Sequence, residues 1–183
     1  MEARYIFHIT YNPEHEQAQE FIGFLNNVAS CSEKLSCLLT ETDNPGLEFT
    51  LLKEGVETGI KFRGIPSGHE FTSLLLAVLN ADGKGKNLPD EAISRRIKAL
   101  QGPVRLQTYV SLTCTNCPDV VQALNIITLL NPQITHEMVD GALYQEEVDA
   151  LKIQGVPSVY ANGKLLHVGR GSLGELLQKL EQT

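Results

Sequence analysis

Two cysteines separated by two residues, Cys114 and Cys117, stand in the run Thr-Cys-Thr-Asn-Cys-Pro from Thr113 to Pro118. Thiols at this spacing can cycle between dithiol and disulfide, hold half of a zinc site, or sit inert at a helix start. The flanks favour the first. Val104–Leu112 is an apolar strand-like run, and Pro118–Leu130 repeats apolar residues at helical spacing. A strand-to-helix joint aims free backbone N–H groups and the positive end of the helix dipole at the Cys114 sulfur. Such surroundings lower a thiol pKa from about 8.5 to about 3.5–7.5, and the thiolate is the form that attacks a disulfide. Cys117, one helical turn on, reads as the more buried, resolving thiol. Zinc takes four ligands. Cys31 and Cys37 fall in a different lobe, and His136 and His167 lie on opposite sides of a strand pattern.

Bulk properties narrow the setting. With 42% hydrophobic and 20% charged residues, the 183-residue chain reads as one large globular domain or two small lobes. A net charge of −7 and no Lys/Arg cluster argue against a nucleic-acid surface. Arg95, Arg96 and Lys98 sit in a segment opened by Asp90 and Glu91, a solvated helix face. No apolar run approaches the roughly 20 residues of a membrane span, and no signal peptide opens the chain. The expectation is a cytoplasmic protein with no membrane partner. In a reducing compartment a close cysteine pair is redox-active or metal-binding rather than a structural staple. Cys31 and Cys37 are expected to be small apolar core residues.

The elements that must position the pair follow in order. Arg4–Thr10 alternates as a strand, and Asn12-Pro13 starts a helix with Phe21, Phe24, Leu25 and Val28 on one face. Leu35–Thr40 is a second strand, and Leu47–Leu52 with Thr58–Arg63 form a hairpin around Glu54-Gly55. A helix spans His69–Asn80, a linker-like stretch Ala81–Asn87, and a helix Pro89–Leu100. After Val104–Leu112, Cys-x-x-Cys and the next helix come a strand Ile134–Val139 and a helix Leu143–Leu151. Gly155-Val156-Pro157 leads into a hairpin closed by Asn162-Gly163, and a capping box at Ser172 and Glu175 starts the last helix.

The order of elements repeats. The expected fold is α/β: two tandem thioredoxin-like lobes, the first degenerate, each a mixed sheet flanked by helices. Residues 1–102 form the lobe without Cys-x-x-Cys and residues 103–183 the redox-active one. In such a unit the loop before the hairpin faces the dithiol, which makes Pro157 a candidate cis proline that frees the Val156 backbone to pair with an extended substrate. Lys-x-x-Gly-Ile-Pro-Ser at Lys61–Ser67 imitates Lys152–Ser158 but follows a hairpin, so Pro66 does not share that role. Gly169-Arg170-Gly171-Ser172-Leu173-Gly174 imitates a dinucleotide fingerprint. That fingerprint needs a further strand and an acid about 20 residues on, so this is a helix-start loop.

Cys114–Asn125, Asn131-Pro132, Asp140-Gly141-Ala142, Gly155-Val156-Pro157 and Asn162-Gly163-Lys164 together resemble the N-terminal domain of the F subunit of alkyl hydroperoxide reductase. Gly68–Leu74 resembles it too, and the likeness is dense from Gly64 onward. The resemblance implies an electron shuttle. Reducing equivalents pass from a thioredoxin-reductase-like flavoprotein disulfide reductase domain to the disulfide of an AhpC-like peroxiredoxin, in peroxide detoxification. It implies Cys114 as attacking thiol, Cys117 as resolving thiol, and Glu70 as an acid that approaches the dithiol from the first lobe. No cofactor is expected in this chain; FAD and NAD(P)H belong to the flavoprotein portion or partner. Thr115 stands where the family usually has histidine, which removes a cationic neighbour of Cys114. The chain also begins at the first strand where relatives carry an additional helix, so a fragment or a freestanding shuttle domain is expected. The rival readings are a general protein disulfide oxidoreductase or isomerase and a zinc-anchored binding module.

Overall fold

A computed structural model describes residues 1–183. The N-terminal half contains β1 (Tyr5–Tyr11), α1 (Ala18–Ala29), β2 (Leu35–Glu41), β3 (Leu47–Lys53) and β4 (Val56–Arg63). A 3-10 turn (Gly68–Glu70) then runs into α2 (Phe71–Ala81), and α3 (Glu91–Ala99) follows. The C-terminal half contains β5 (Val104–Val110), α4 (Cys117–Leu130), β6 (Ile134–Asp140) and α5 (Gln145–Ala150). It closes with β7 (Ser158–Ala161), β8 (Lys164–Val168) and α6 (Leu173–Glu181).

Periodicity explains most of these elements. Tyr5, Phe7 and Ile9 of β1 and Leu47, Phe49 and Leu51 of β3 turn one face of the sheet to the core. Phe21, Leu25 and Val28 of α1 and Leu74, Ala77 and Val78 of α2 cover that face. The two hairpin turns use Glu54-Gly55 and Asn162-Gly163, both pairs at positive φ, as tight hairpins with a right-handed twist require. Two expected helices start late. Past Asn12-Pro13 the chain turns before α1 begins at Ala18: the Glu14 N–H donates to Asn12 Oδ1 at 2.9 Å and the Gln17 N–H to His15 Nδ1 at 3.0 Å. Likewise the Leu143 and Tyr144 N–H groups both turn back to the Asp140 carbonyl, which delays α5 to Gln145.

All eight strands join one mixed sheet in the order β2-β1-β3-β4-β6-β5-β7-β8. Within each half the pairings repeat: β1 lies parallel to β2 and antiparallel to β3, and β5 lies parallel to β6 and antiparallel to β7. The halves meet where β4 runs parallel to β6, Ile60–Arg63 beside His136–Val139. Gly59 permits that approach. At φ 89° its position holds no Cβ, which would lie 2.9 Å from Thr128 Cγ2 and 3.2 Å from the Ile134 carbonyl oxygen.

Charged and aromatic groups reinforce the junction. Arg63 of β4 pairs with Glu147 of α5 and Glu137 of β6, the latter at 3.3 Å, and its guanidinium lies 4.2 Å from the Tyr144 ring centre. The Tyr109 hydroxyl donates to Glu147 at 2.7 Å. Tyr144 also bridges to the backbone of Leu47, bonding both its N–H and its carbonyl at 3.1 Å. Although it precedes Gly102-Pro103, α3 inserts Ile97 and Leu100 among Leu106, Val120, Leu124, Ile127, Leu176 and Leu177. No helix is long and apolar enough to cross a membrane.

Candidate active site

Cys114 and Cys117 are joined as a disulfide, with their Cα atoms 5.6 Å apart. Strand β5 ends at Val110, and Ser111–Asn116 carries the chain to α4, whose first residue is Cys117. The two sulfurs differ in exposure. Cys117 is fully buried in the core shared by β1, β3, α2 and α4, whereas Cys114 is half-buried at the surface of the joint. The Cys117 backbone N–H donates to Cys114 Sγ at 3.2 Å, so a first-turn donor of α4 is directed at the outer sulfur.

Pro157 faces this pair. The Val156–Pro157 peptide is cis and Pro157 is buried, while Val156 is 37% exposed. The Val156 carbonyl oxygen lies 3.9 Å from Cys114 Sγ. The outer sulfur and the exposed Val156 are therefore presented side by side. Pro66, in the imitating segment, follows a trans bond, since the cis peptides are those before Pro103 and Pro157.

Glu70 closes the 3-10 turn that docks on the loop before the cysteines. The His69 N–H donates to the Leu112 carbonyl at 3.0 Å. Gly68 makes the docking close: at φ 57°, a Cβ on it would lie 2.7 Å from that same oxygen. Glu70 is fully buried, and both carboxyl oxygens lack a hydrogen-bond partner. Loss of hydration pushes its pKa up to about 7, against a smaller opposing pull from Ser73. Ser73 itself accepts a hydrogen bond from Gln122 Nε2 of α4 at 3.2 Å. Glu70 bonds neither cysteine; the fold brings its segment against α4 and the dithiol loop.

Other titratable groups fall elsewhere. His136 is buried between Thr108 Oγ1 and Asn125 Oδ1, each at 2.7 Å, and burial pushes its pKa down to about 3. Cys31 and Cys37 are free thiols and do not enter the core as expected: Cys31 is exposed just past α1, and Cys37 is half-buried on the edge strand β2. The expectation fails because α1 ends at Ala29, leaving Cys31 in the following turn, and β2 has a neighbour on only one side. No group of three or more His, Cys, Asp or Glu side chains is placed so that it could hold a metal ion. The Gly169–Gly174 run is the helix-start loop its sequence suggests, with Ser172 Oγ accepting the Glu175 N–H at 3.2 Å. That loop nevertheless holds a residue that motif reasoning passed over. Arg170 Nε donates to Asn116 Oδ1, inside the Cys-x-x-Cys motif, at 2.9 Å.

Known proteins share this arrangement. The thioredoxin-domain family model matches residues 104–182. The alkyl hydroperoxide reductase F subunit of Pseudomonas aeruginosa is 40% identical over 168 residues, covering 92% of this chain and 32% of that protein. The chain thus spans about a third of the length of the curated relatives it matches. The crystal structure of the NTD_N/C domain of alkylhydroperoxide reductase AhpF from Enterococcus faecalis superposes with a TM-score of 0.90 at 32% identity, covering 97% of this chain and 91% of that one. A protein disulfide oxidoreductase from Aeropyrum pernix shares the fold, with a TM-score of 0.85 at 18% identity over 97% of this chain and 84% of that one. With its dithiol, its repeated strand order and a solved relative matched nearly end to end, this chain belongs to the family of N-terminal domains of the alkyl hydroperoxide reductase F subunit, AhpF.

Proposed function

We propose that the chain is a dithiol–disulfide electron shuttle, accepting reducing equivalents from a flavoprotein disulfide reductase domain and delivering them to a peroxiredoxin disulfide. The observation that carries this reading is the asymmetry of the disulfide: one sulfur is accessible beside the Val156 carbonyl, the other is sealed in the core behind it.

Delivery takes two exchanges. In the reduced shuttle the Cys114 thiolate attacks one sulfur of the acceptor disulfide, the acceptor S–S bond breaks, and the first acceptor thiolate leaves. Cys117 then loses its proton and attacks Cys114 Sγ, which breaks the mixed disulfide, expels the second acceptor thiolate and re-forms the Cys114–Cys117 bond. Two electrons move to the acceptor. Glu70, raised to about 7 by burial, takes the Cys117 proton and can return it at neutral pH. Pro157 holds the Val156 backbone ready for an extended acceptor segment. Residues 1–102 and 103–183 act as a supporting and a redox-active lobe, with α3 packing across that division. FAD and NAD(P)H serve the flavoprotein portion, and the setting is cytoplasmic.

The test is a rapid-mixing assay in which pre-reduced chain reduces an AhpC-type peroxiredoxin disulfide. Cys114→Ser is expected to abolish the transfer, and Cys117→Ser to stop after one attack with a mixed disulfide accumulating on Cys114. Transfer by Cys114→Ser at the parent rate would overturn the assignment. The dithiol midpoint potential separates the shuttle from a general disulfide-forming oxidoreductase, because a shuttle must lie low enough to reduce its acceptor.

A further inference from the structure

Glu70 is fully enclosed by the fold, and neither of its carboxyl oxygens has a hydrogen-bond partner. A carboxyl in that position is at ease only while it holds its proton; once ionised, it needs a donor. Ser73 is the donor within reach. The two residues take the N-cap and third positions of α2, three apart, where side chains are neighbours on one helix face. Ser73 is fully buried as well.

The Ser73 hydroxyl is already half engaged. Gln122 Nε2 of α4 donates to its oxygen at 3.2 Å, while its own proton is bonded to no acceptor. An unpaired hydroxyl proton and an unpaired carboxyl therefore stand side by side in the core. With one lone pair taken up from α4, the hydroxyl keeps its O–H for its own side of the helix pair. The ionisable groups on the elements packed against Glu70 are the two cysteines, joined here, Asp119 of α4 and His69 of its own turn, both exposed. Neither Asp119 nor His69 acts on the carboxyl: burial raises its pKa and Ser73 lowers it, with burial the stronger.

We infer that Ser73, oriented by Gln122, is a positioning residue for the Glu70 proton: its hydroxyl closes onto the carboxylate when Glu70 ionises and releases it when the proton returns. The unpartnered acid is one state of this device, and a Gln122–Ser73–Glu70 chain of hydrogen bonds is the other. A donor to the charged form favours ionisation, so the hydroxyl offsets part of what burial takes away. Without it the carboxylate has no partner in the core, and the acid keeps its proton to higher pH. The device spans both halves. Ser73 and Glu70 belong to the N-terminal half, and Gln122 lies on α4, five residues past the buried Cys117.

This inference rests on the shuttle reading only for where the proton comes from, and its test needs no electron acceptor. The chain in its disulfide form is isotope-labelled at the glutamate carboxyl carbons and titrated by NMR, the Glu70 signal being assigned by its loss in Glu70→Gln. The parent is expected to titrate at about 7. Ser73→Ala should raise that midpoint by about one pH unit, leaving roughly fivefold less carboxylate at neutral pH, the scale of a hydrogen bond to a charged group. Ser73→Thr keeps the hydroxyl and should return the midpoint to the parent value, while Ser73→Cys, a weaker donor, should fall between. A merely structural role for Ser73 would not sort the variants by donor strength. Gln122→Leu should raise the midpoint by less than Ser73→Ala, because the hydroxyl is then free to turn to the carbonyl one helical turn back. An unchanged midpoint in Ser73→Ala, or equal rises in all three Ser73 variants, would overturn the inference; a lower midpoint in Gln122→Leu would overturn the orienting role. If Glu70→Gln instead re-oxidises its dithiol with the pH profile of the parent, the shuttle reading loses its proton acceptor while the Ser73 result stands.

Discussion

The strand order β2-β1-β3-β4 in the N-terminal half is matched by β6-β5-β7-β8 in the C-terminal half, with the same parallel and antiparallel pairings. What differs is the chemistry at equivalent joints. Between β5 and α4 lie the two thiols; between β1 and α1 lies Asn12–Gln17, with no cysteine. Before hairpin β7–β8 stands a cis proline, Pro157; before hairpin β3–β4 stands Pro45, trans and exposed. From the N-terminal half comes the buried Glu70, whose segment docks on the other half's dithiol loop. In the proposed shuttle the repeated scaffold divides one reaction: one copy keeps the electron-carrying atoms, and the other supplies a proton-accepting group and the wall that buries Cys117.

That division can be broken at the junction. Arg63→Ala removes the cation shared by Glu147 and Glu137, leaving Glu147 with the Tyr109 hydroxyl alone while Glu137 keeps Arg105. A loss of about 3 kcal/mol is expected, the scale for breaking such a pair, and denaturant titration measures it. Glu147, held below the usual carboxylate range chiefly by the Arg63 hydrogen bond, then titrates at higher pH.

The comparison sharpens at Glu70. A carboxyl whose pKa rises from 4.5 to about 7 on folding costs stability as pH climbs through that window, because the unfolded chain gives up its proton first. In the disulfide form at pH 8, Glu70→Gln should be more stable than the parent by about 3 kcal/mol, while slowing proton-coupled turnover of the dithiol.

His136 supplies the opposite slope. Its pKa falls from 6.5 to about 3 on folding, so the unfolded chain alone binds that proton between those values, and stability declines as pH drops. Between about pH 4.5 and 6.5 the two groups oppose each other at up to about 1.4 kcal/mol per pH unit apiece. Glu70→Gln should therefore expose a steeper loss of stability from pH 6.5 to 4.5 than the parent shows. Parallel curves would dismiss the pairing. The smallest expected effect lies at the C-terminal helix: Ser172→Ala removes the cap on Glu175 and should lower stability by about 1 kcal/mol, read from the shift in denaturant midpoint.

Much of this architecture is readable from residue order because local rules set it. Alternation places Tyr5, Phe7 and Ile9, the Asn162-Gly163 turn fixes the second hairpin, and Cys-x-x-Cys at a strand–helix joint marks the dithiol. The single sheet is not readable in that way, since nothing local in Ile60–Arg63 or His136–Val139 says that these strands pair with each other across the two halves. Nor is the Arg170–Asn116 bond, which joins positions 54 apart in sequence through a loop resembling a nucleotide motif. Cys31 and Cys37 mislead for a related reason: a small thiol reads as core wherever it occurs, and only the end of α1 and the edge position of β2 settle otherwise.

The hydrogen bonds between β4 and β6 leave the ladder without a seam. A molecule laid out as a doubled unit would ordinarily come apart in two stages, one copy at a time. Here both copies share one ladder, so a single cooperative transition is expected, with the outer strand β2 and the thiols lost together. The thiol-free copy is in that sense a counterweight, its core continuous with the one that encloses Cys117.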